Sequence, residues 1–175
     1  ELPFGRGKRW AQNGVGAALL GGWQINALSR LSTGTPVTPT APGTVLNAPG
    51  SGQFADCTGP VAKIGERTQW WDRANLANPN AVSPNVPRFG TCGTGVLRGP
   101  GLINFDMGVF RRFQVNERIN VQLRGEAFNI SNTPHFANPN ADVSSSNFGL
   151  IGNVQNTGRE GNDQRFFRVG VRIGF

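Results

Sequence analysis

The end of the chain alternates without interruption. Between Arg165 and Phe175, the residues Phe167, Val169, Val171, Ile173 and Phe175 fall on one side, and Phe166, Arg168, Gly170, Arg172 and Gly174 on the other. That period of two predicts a strand near 165–175 with one apolar and one polar face. Two further stretches repeat it. Ile103, Phe105, Met107 and Val109 alternate with Asn104, Asp106, Gly108 and Phe110, and Ile119, Val121, Leu123 and Ala127 with Asn120, Gln122, Arg124 and Glu126. These predict strands near 102–113 and 119–130. A one-residue slip would turn every side chain over, so a connection that keeps both apolar sets together has an odd number of residues, three or five, with Asn116 as its turn residue. A fourth strand is expected near 22–33. There Trp23, Ile25, Ala27 and Leu31 oppose Gln24, Asn26, Arg30 and Ser32; Leu28 and Ser29 break the pattern, and Ser32-Thr33-Gly34-Thr35-Pro36 ends it.

The segments between differ in kind. Residues 34–100 are polar and irregular, with prolines at 36, 39, 42, 49, 60, 79, 84 and 87, and residues 131–163 form a second long loop. Loops of this length argue against a compact soluble domain and suit a barrel with short turns on one side and long loops on the other. Residues 1–22 are expected to form a turn region, in which Leu2-Pro3-Phe4-Gly5 resembles the end of a strand begun before Glu1, and Trp10 and Trp23 are of the kind found at membrane interfaces. No basic segment leads into an apolar run, so no leader peptide is visible, and nothing approaches the ~18 apolar residues of a membrane helix. A strand of about ten residues is long enough to cross a bilayer at a tilt. The expected fold is all-β: an antiparallel meander of about four long strands with two long outer loops, an incomplete piece of a transmembrane β-barrel.

Composition narrows the chemistry. Glycine (25) and proline (12) are abundant and charged residues make up 15%, which fits short ordered stretches between long loops better than a disordered chain. The net charge of +7 is spread along strand faces and turns with no basic run, so no nucleic-acid partner is expected. Cys57 and Cys92 both lie in the first long loop; bonded in an oxidising compartment they would close a loop of about 35 residues, and free thiols in a reducing one are the alternative. No Cys-x-x-Cys is present and His135 has no companion, so no metal is expected and His135 reads as a solvated loop residue. Gly14-Val15-Gly16-Ala17-Ala18-Leu19 superficially suggests a phosphate-binding turn, but Leu19 stands where the dinucleotide fingerprint needs a glycine, and no cofactor is expected. Asp106, Arg112, Arg124 and Glu126 share the polar side of the predicted hairpin. They suggest a charge-balanced lumen rather than an acid/base pair, because no nucleophile, histidine base or metal accompanies them. No enzymatic activity is expected. Trp70-Trp71-Asp72 and Phe89-Gly90 are expected to pack locally, and Asn129-Ile130-Ser131 matches a glycosylation sequon that has meaning only in a eukaryotic secretory route.

Arg168-x-Gly170-x-x-Ile173-x-Phe175 resembles the C-terminal assembly signal of bacterial outer-membrane barrels, which the barrel-assembly machinery reads. Together with Leu2-Pro3-Phe4-Gly5-Arg6-Gly7, Gly22-Trp23-Gln24-Ile25, Leu97-Arg98-Gly99-Pro100-Gly101, Asn104-Phe105-Asp106, Arg124-Gly125-Glu126-Ala127-Phe128-Asn129 and Asn138-Pro139-Asn140, it makes the chain similar to the C-terminal end of TonB-dependent outer-membrane receptors of the Oar-like group, which carry a carboxypeptidase-regulatory-like module at the N-terminus. The resemblance implies a plugged barrel in the bacterial outer membrane, surrounded by lipid. It further implies energised uptake of an unknown substrate, with the TonB complex engaged through parts that this chain lacks. Such transporters have ~22 strands, so four cannot close the barrel. From the loop lengths, the turns near 6–21 and 114–118 and the C-terminus are expected to face the periplasm, and the long loops 34–100 and 131–163 to face outward. Two alternatives stand beside it: a secreted β-sandwich or lectin-like binding module, whose apolar face would be covered by a second sheet, and an adhesive or structural outer-membrane barrel without transport.

Overall fold

The computed structural model describes residues 1–5, 7–46, 52–155 and 163–175. Arg6 of the Leu2–Gly7 motif, the 47–51 part of the first loop and the 156–162 part of the second lie outside the described residues. In chain order the elements are α1 (Gly14–Leu20), β1 (Trp23–Ser32), β2 (Pro36–Val37), β3 (Thr40–Pro42), a 3-10 turn (Thr44–Leu46), β4 (Gly52–Phe54), β5 (Asp56–Cys57), β6 (Leu76–Ala77), α2 (Pro79–Val82), β7 (Leu97–Arg98), β8 (Leu102–Gln114), β9 (Asn120–Phe128) and β10 (Phe166–Gly174). The four long strands form one open sheet in the order β1-β8-β9-β10, and the short ones form three two-stranded ladders, β2-β7, β3-β4 and β5-β6. Among the described residues no helix is long and apolar enough to cross a membrane. The architecture is all-β, as the alternation predicts.

The chain divides into two units. One comprises Glu1–Leu31, Ile103–Pro134 and Thr157–Phe175, and the other Ser32–Leu102 and His135–Asn156. In the first unit, β9 pairs antiparallel with β8 from Met107↔Ala127 to Gln114↔Asn120, and with β10 from Phe166↔Phe128 to Gly174↔Asn120. Five residues therefore join β8 to β9, the odd number that the parity of the apolar positions demands. Asn116 closes the turn by accepting from the backbone N–H groups of Arg118 (2.9 Å) and Ile119 (2.7 Å) through its side chain. This is the Asx geometry that favours asparagine in turns.

The strand expected near 22–33 is β1, Trp23–Ser32, and it runs through the break in alternation at Leu28 and Ser29; strand continuity follows backbone pairing, and Leu28 remains exposed on the side of Gln24 and Asn26. One expectation about this unit is corrected: residues 1–22 are more than a turn, since Gly14–Leu20 is helical. Its sequence, GVGAALL, has no polar residue to mark a helical period, and its two glycines disfavour helix in isolation.

The second unit corrects the expectation of irregular loops. Ala41, Ala55, Trp70, Trp71, Leu76, Cys92, Leu97, Val143, Phe148 and Ile151 form one buried cluster drawn from both long loops. The strands within it are two or three residues long, too short to produce a legible alternation, and the core is assembled from separated side chains. Trp71 is 2% exposed and packs against Phe148 of the second long loop, so the tryptophan pair is packed in the core of this unit through residues distant in sequence and not locally. Phe89, by contrast, is exposed. His135 is 2% exposed, so it is a buried residue rather than a solvated one. Its carbonyl accepts from the Gln155 N–H at 2.7 Å, and the bridge between Phe136 and Val154 lies directly beside it.

Candidate functional site

The register separates the long-stranded sheet into two chemically different faces. On one, the rows across β8, β9 and β10 read Met107–Ala127–Phe167, Val109–Gly125–Val169, Arg111–Leu123–Val171 and Phe113–Val121–Ile173. Eleven of these twelve positions are uncharged and apolar or glycine, and Arg111 is the exception. The face is uncovered: Val169 is 85% exposed, and Phe167, Val171 and Ile173 are each more than half exposed. An apolar surface of this continuity marks a contact with an apolar medium or a partner.

The other face carries Gly108–Glu126–Arg168, Phe110–Arg124–Gly170, Arg112–Gln122–Arg172 and Gln114–Asn120–Gly174. Arg112, Arg124 and Glu126 thus stand on one face, and Asp106, two residues before Gly108, shares it by alternation. Glu126 lies opposite Arg168, with 4.0 Å between the charged atoms. The Arg124 guanidinium covers the Phe110 ring at 5.1 Å and Arg168 covers Phe128 at 5.6 Å, distances at which a cation is attracted to a ring face. Both rings are buried under them. Glu126 faces Gly108, so Asp106 and Glu126 are not a directly opposed pair of carboxylates. Asp106 instead accepts from the Asn104 side chain at 3.0 Å and from the Asn129 backbone N–H at 2.8 Å, which secures the end of β9.

Asn129 continues that closure. At a left-handed φ of 46° it turns the chain out of β9, a conformation asparagine tolerates better than most residues. Its side-chain amide donates to the carbonyls of Thr133 (2.9 Å) and Asp163 (2.5 Å) and accepts from the Thr133 N–H (3.0 Å). A sequon asparagine engaged in this way, and 4% exposed, is a structural tie rather than an acceptor for sugar. Of the four residues of the terminal motif, Arg168 and Gly170 stand on the polar face and Ile173 in an apolar row. Phe175 follows the strand and is fully exposed.

The loop unit is held by a second set of contacts. Cys57 and Cys92 are joined by a disulfide, their Cα atoms 4.9 Å apart. Beside it the Arg88 guanidinium forms a two-pronged pair with the Asp56 carboxylate, one prong at 2.9 Å, and the Thr91 N–H donates to the same carboxylate at 3.2 Å. The hydrogen bond from Arg88 holds the Asp56 carboxyl below its ordinary value of 3.8, against the opposing effect of desolvation; the charge of Arg88 and the Thr91 bonds act in the same direction as the first cause. The Cys92 N–H donates to the Ala55 carbonyl at 2.9 Å. A Cβ at Gly90 would stand 1.9 Å from the Phe54 carbonyl oxygen, so only glycine fits this crossing. Asp56–Arg88 was not foreseen from the sequence, although a signal exists: Asp56 adjoins Cys57 and Arg88 lies four residues before Cys92, so bonding the cysteines brings the charges near each other.

Two of the motifs that carry the sequence resemblance meet inside this unit. The indole N–H groups of Trp70 (3.0 Å) and Trp71 (2.9 Å) both donate to the carbonyl of Arg98. The Thr35 hydroxyl donates to the Asn138 side chain at 2.9 Å, and the Gly99 N–H to the Thr35 carbonyl at 3.0 Å. A Cβ at Gly99 would lie 2.2 Å from Asn138 Oδ1, and one at Gly34 only 1.8 Å from the Gly99 carbonyl oxygen. The Leu97–Gly101 and Asn138–Asn140 segments therefore have a packing role.

A family model described as an outer membrane beta barrel domain matches residues 1–165. The chain belongs to this outer membrane beta barrel domain family. No curated protein and no solved structure gives a match. The family places the chain in the bacterial outer membrane, and its β-strands rather than helices are the elements suited to cross it. The match includes β1, β8 and β9 and stops before β10, whose membership in the same sheet comes from its nine-residue register with β9. No group of three or more His, Cys, Asp or Glu side chains able to hold a metal occurs among the described residues.

Proposed function

We propose that this outer membrane barrel domain contributes the C-terminal strands of a TonB-dependent, Oar-like transporter that takes up a still unidentified substrate. The observation that carries the reading is the contrast between the two faces of one sheet. The apolar rows of β8, β9 and β10 face lipid. The opposite face, with Asp106, Arg112, Arg124 and Glu126, lines the lumen, where arginines lying over aromatic rings suit polar or anionic solutes. The turns near 6–21 and 114–118 and the C-terminus face the periplasm, and the loops 34–100 and 131–163 face outward. A disulfide between Cys57 and Cys92 suits an oxidising compartment or the cell surface. The C-terminal strand, with Arg168, Gly170, Ile173 and Phe175, engages the barrel-assembly machinery. No covalent chemistry is assigned to this chain, so the domain acts in transport and not as an enzyme.

The β-sandwich alternative requires a second sheet over the apolar face, whereas Phe167, Val169, Val171 and Ile173 are each more than half exposed. The test that separates transport from adhesion uses the whole protein purified from outer membranes. Its capture of the periplasmic domain of TonB, together with a plug domain encoded ahead of Glu1, is the expected result. A barrel that neither binds TonB nor carries a plug overturns transport and leaves an adhesive or structural barrel.

A further inference from the structure

We infer that α1 is an interfacial helix that lies among phospholipid headgroups on the lipid side of the strands, tethered there by Arg111. The inference rests on the reading that the apolar face of the sheet meets lipid. Arg111 is the single charge within the apolar rows of β8, β9 and β10, and its guanidinium reaches the end of α1. Its guanidinium lies over Phe113 at 4.4 Å and over Trp23 at 5.4 Å. It donates to the carbonyls of Ala18 and Leu19, the second at 2.8 Å. The Trp23 indole donates to the same Leu19 carbonyl at 2.9 Å, and the Gly21 N–H reaches the Ala17 carbonyl at 3.1 Å. The carbonyls of Ala17, Ala18 and Leu19 are thereby satisfied by protein, where the last carbonyls of a helix normally look to water, which lowers the cost of taking this end of α1 out of water.

The helix itself has the composition of a membrane-contacting segment. All seven residues of GVGAALL are apolar or glycine, none is buried, and Val15 (73%) and Leu19 (62%) are more exposed than a water-facing helix would leave them. Arg111, which belongs to the lipid-facing rows, and Trp23 hold the end of the helix by their hydrogen bonds to its carbonyls. Charge complementarity identifies headgroups rather than acyl chains as the surroundings. Arg9 and exposed Trp10 precede the helix, with the Arg9 guanidinium 5.2 Å from the Trp10 ring, while neighbouring Lys8 is paired with Glu1 at 2.6 Å, and Arg111 closes the helix. Cations and amphipathic rings beside an apolar helix are what anionic headgroups over an acyl boundary attract.

The experiment places a fluorescent thiol label at Leu19→Cys, and separately at Val169→Cys, in the whole barrel protein reconstituted into phosphatidylethanolamine/phosphatidylglycerol vesicles. Quenching is read with doxyl lipids labelled near the headgroup or deep in the chain, and with aqueous iodide. The expected result is loss of Leu19-label emission mainly to the shallow lipid quencher, loss of Val169-label emission mainly to the deep one, and release of the Leu19 label toward iodide when Arg111→Gln is added. A Leu19 label quenched by iodide alone, or shielded from lipid and iodide alike as beneath a protein partner, overturns the inference while lipid quenching at Val169 leaves the sheet reading intact. Lipid quenching at neither position overturns both. An Arg111→Gln variant whose Leu19 label keeps its lipid depth overturns the tether.

Discussion

Replacing Cys57 and Cys92 together by serine isolates the contribution of the loop staple. The bond closes a separation of 35 residues. In the chain-entropy description, a closed loop of that size restricts the unfolded chain by about 4 kcal/mol at room temperature. Two neighbouring ties remain in the variant: the Asp56–Arg88 pair and the hydrogen bond from the Cys92-position N–H to Ala55. They hold the same two segments together, so part of the closure persists and the figure is a ceiling. Because this stretch belongs to a unit with its own core, the loss should appear as local opening there and not as loss of the long-stranded sheet. Amide exchange of the whole protein in detergent micelles measures it peptide by peptide. At about 1.4 kcal/mol per factor of ten, exchange in 54–57 and 88–92 should accelerate by up to several hundredfold while the paired amides of β9 and β10 keep their rates. Unchanged exchange in 88–92, or an equal acceleration in β9, would refute the reasoning.

Three further outcomes are expected. The depressed Asp56 carboxyl contributes stability that is fully present above its ordinary value of 3.8 and is lost as pH falls through the lowered folded value; the protection of the 88–92 amides, taken relative to the intrinsic exchange rate at each pH, should therefore fall at acidic pH, and Asp56→Asn should abolish that dependence. Val169→Arg puts a charge on the most exposed position of the apolar rows and should cost roughly 2–4 kcal/mol near a bilayer midplane, read as a lower denaturant midpoint in vesicles. Gly170→Ala on the opposite face, where an added Cβ meets nothing within 4 Å, should leave the midpoint in place. Gly34→Ala, whose Cβ would meet backbone at 1.8 Å, should disrupt the β2-β7 ladder and raise protease sensitivity in the loop unit more than Gly99→Ala, whose nearest obstruction is the Asn138 side chain.

The long strands were legible because each carries its own period. Phe167 to Phe175 alternates on every residue, and parity required an odd turn of three or five residues, of which the structure has five, at 115–119, one residue later than the expected 114–118. The loop unit was not legible, since its core joins Trp71 to Phe148 and Val143 across more than seventy residues and its strands are too short to show a period. His135 was misread for the same reason: nothing near it in sequence indicates that distant residues bury it. Of the candidate polar residues, Arg112, Arg124 and Glu126 could be assigned a face by counting. The role of Asp106 at the end of β9 depends on where pairing with β8 stops, which alternation does not specify.

The carbonyl of Arg98 receives two indole N–H groups from residues 28 and 27 positions away. Every amino acid supplies that oxygen, so a substitution scan through position 98 would record tolerance at the point where two buried tryptophans are held. Mutational silence there would measure the generality of the peptide group and not the unimportance of the site. The same anchoring makes tryptophan emission a clock for assembly: the two rings reach their native surroundings only once the 97–98 segment has docked.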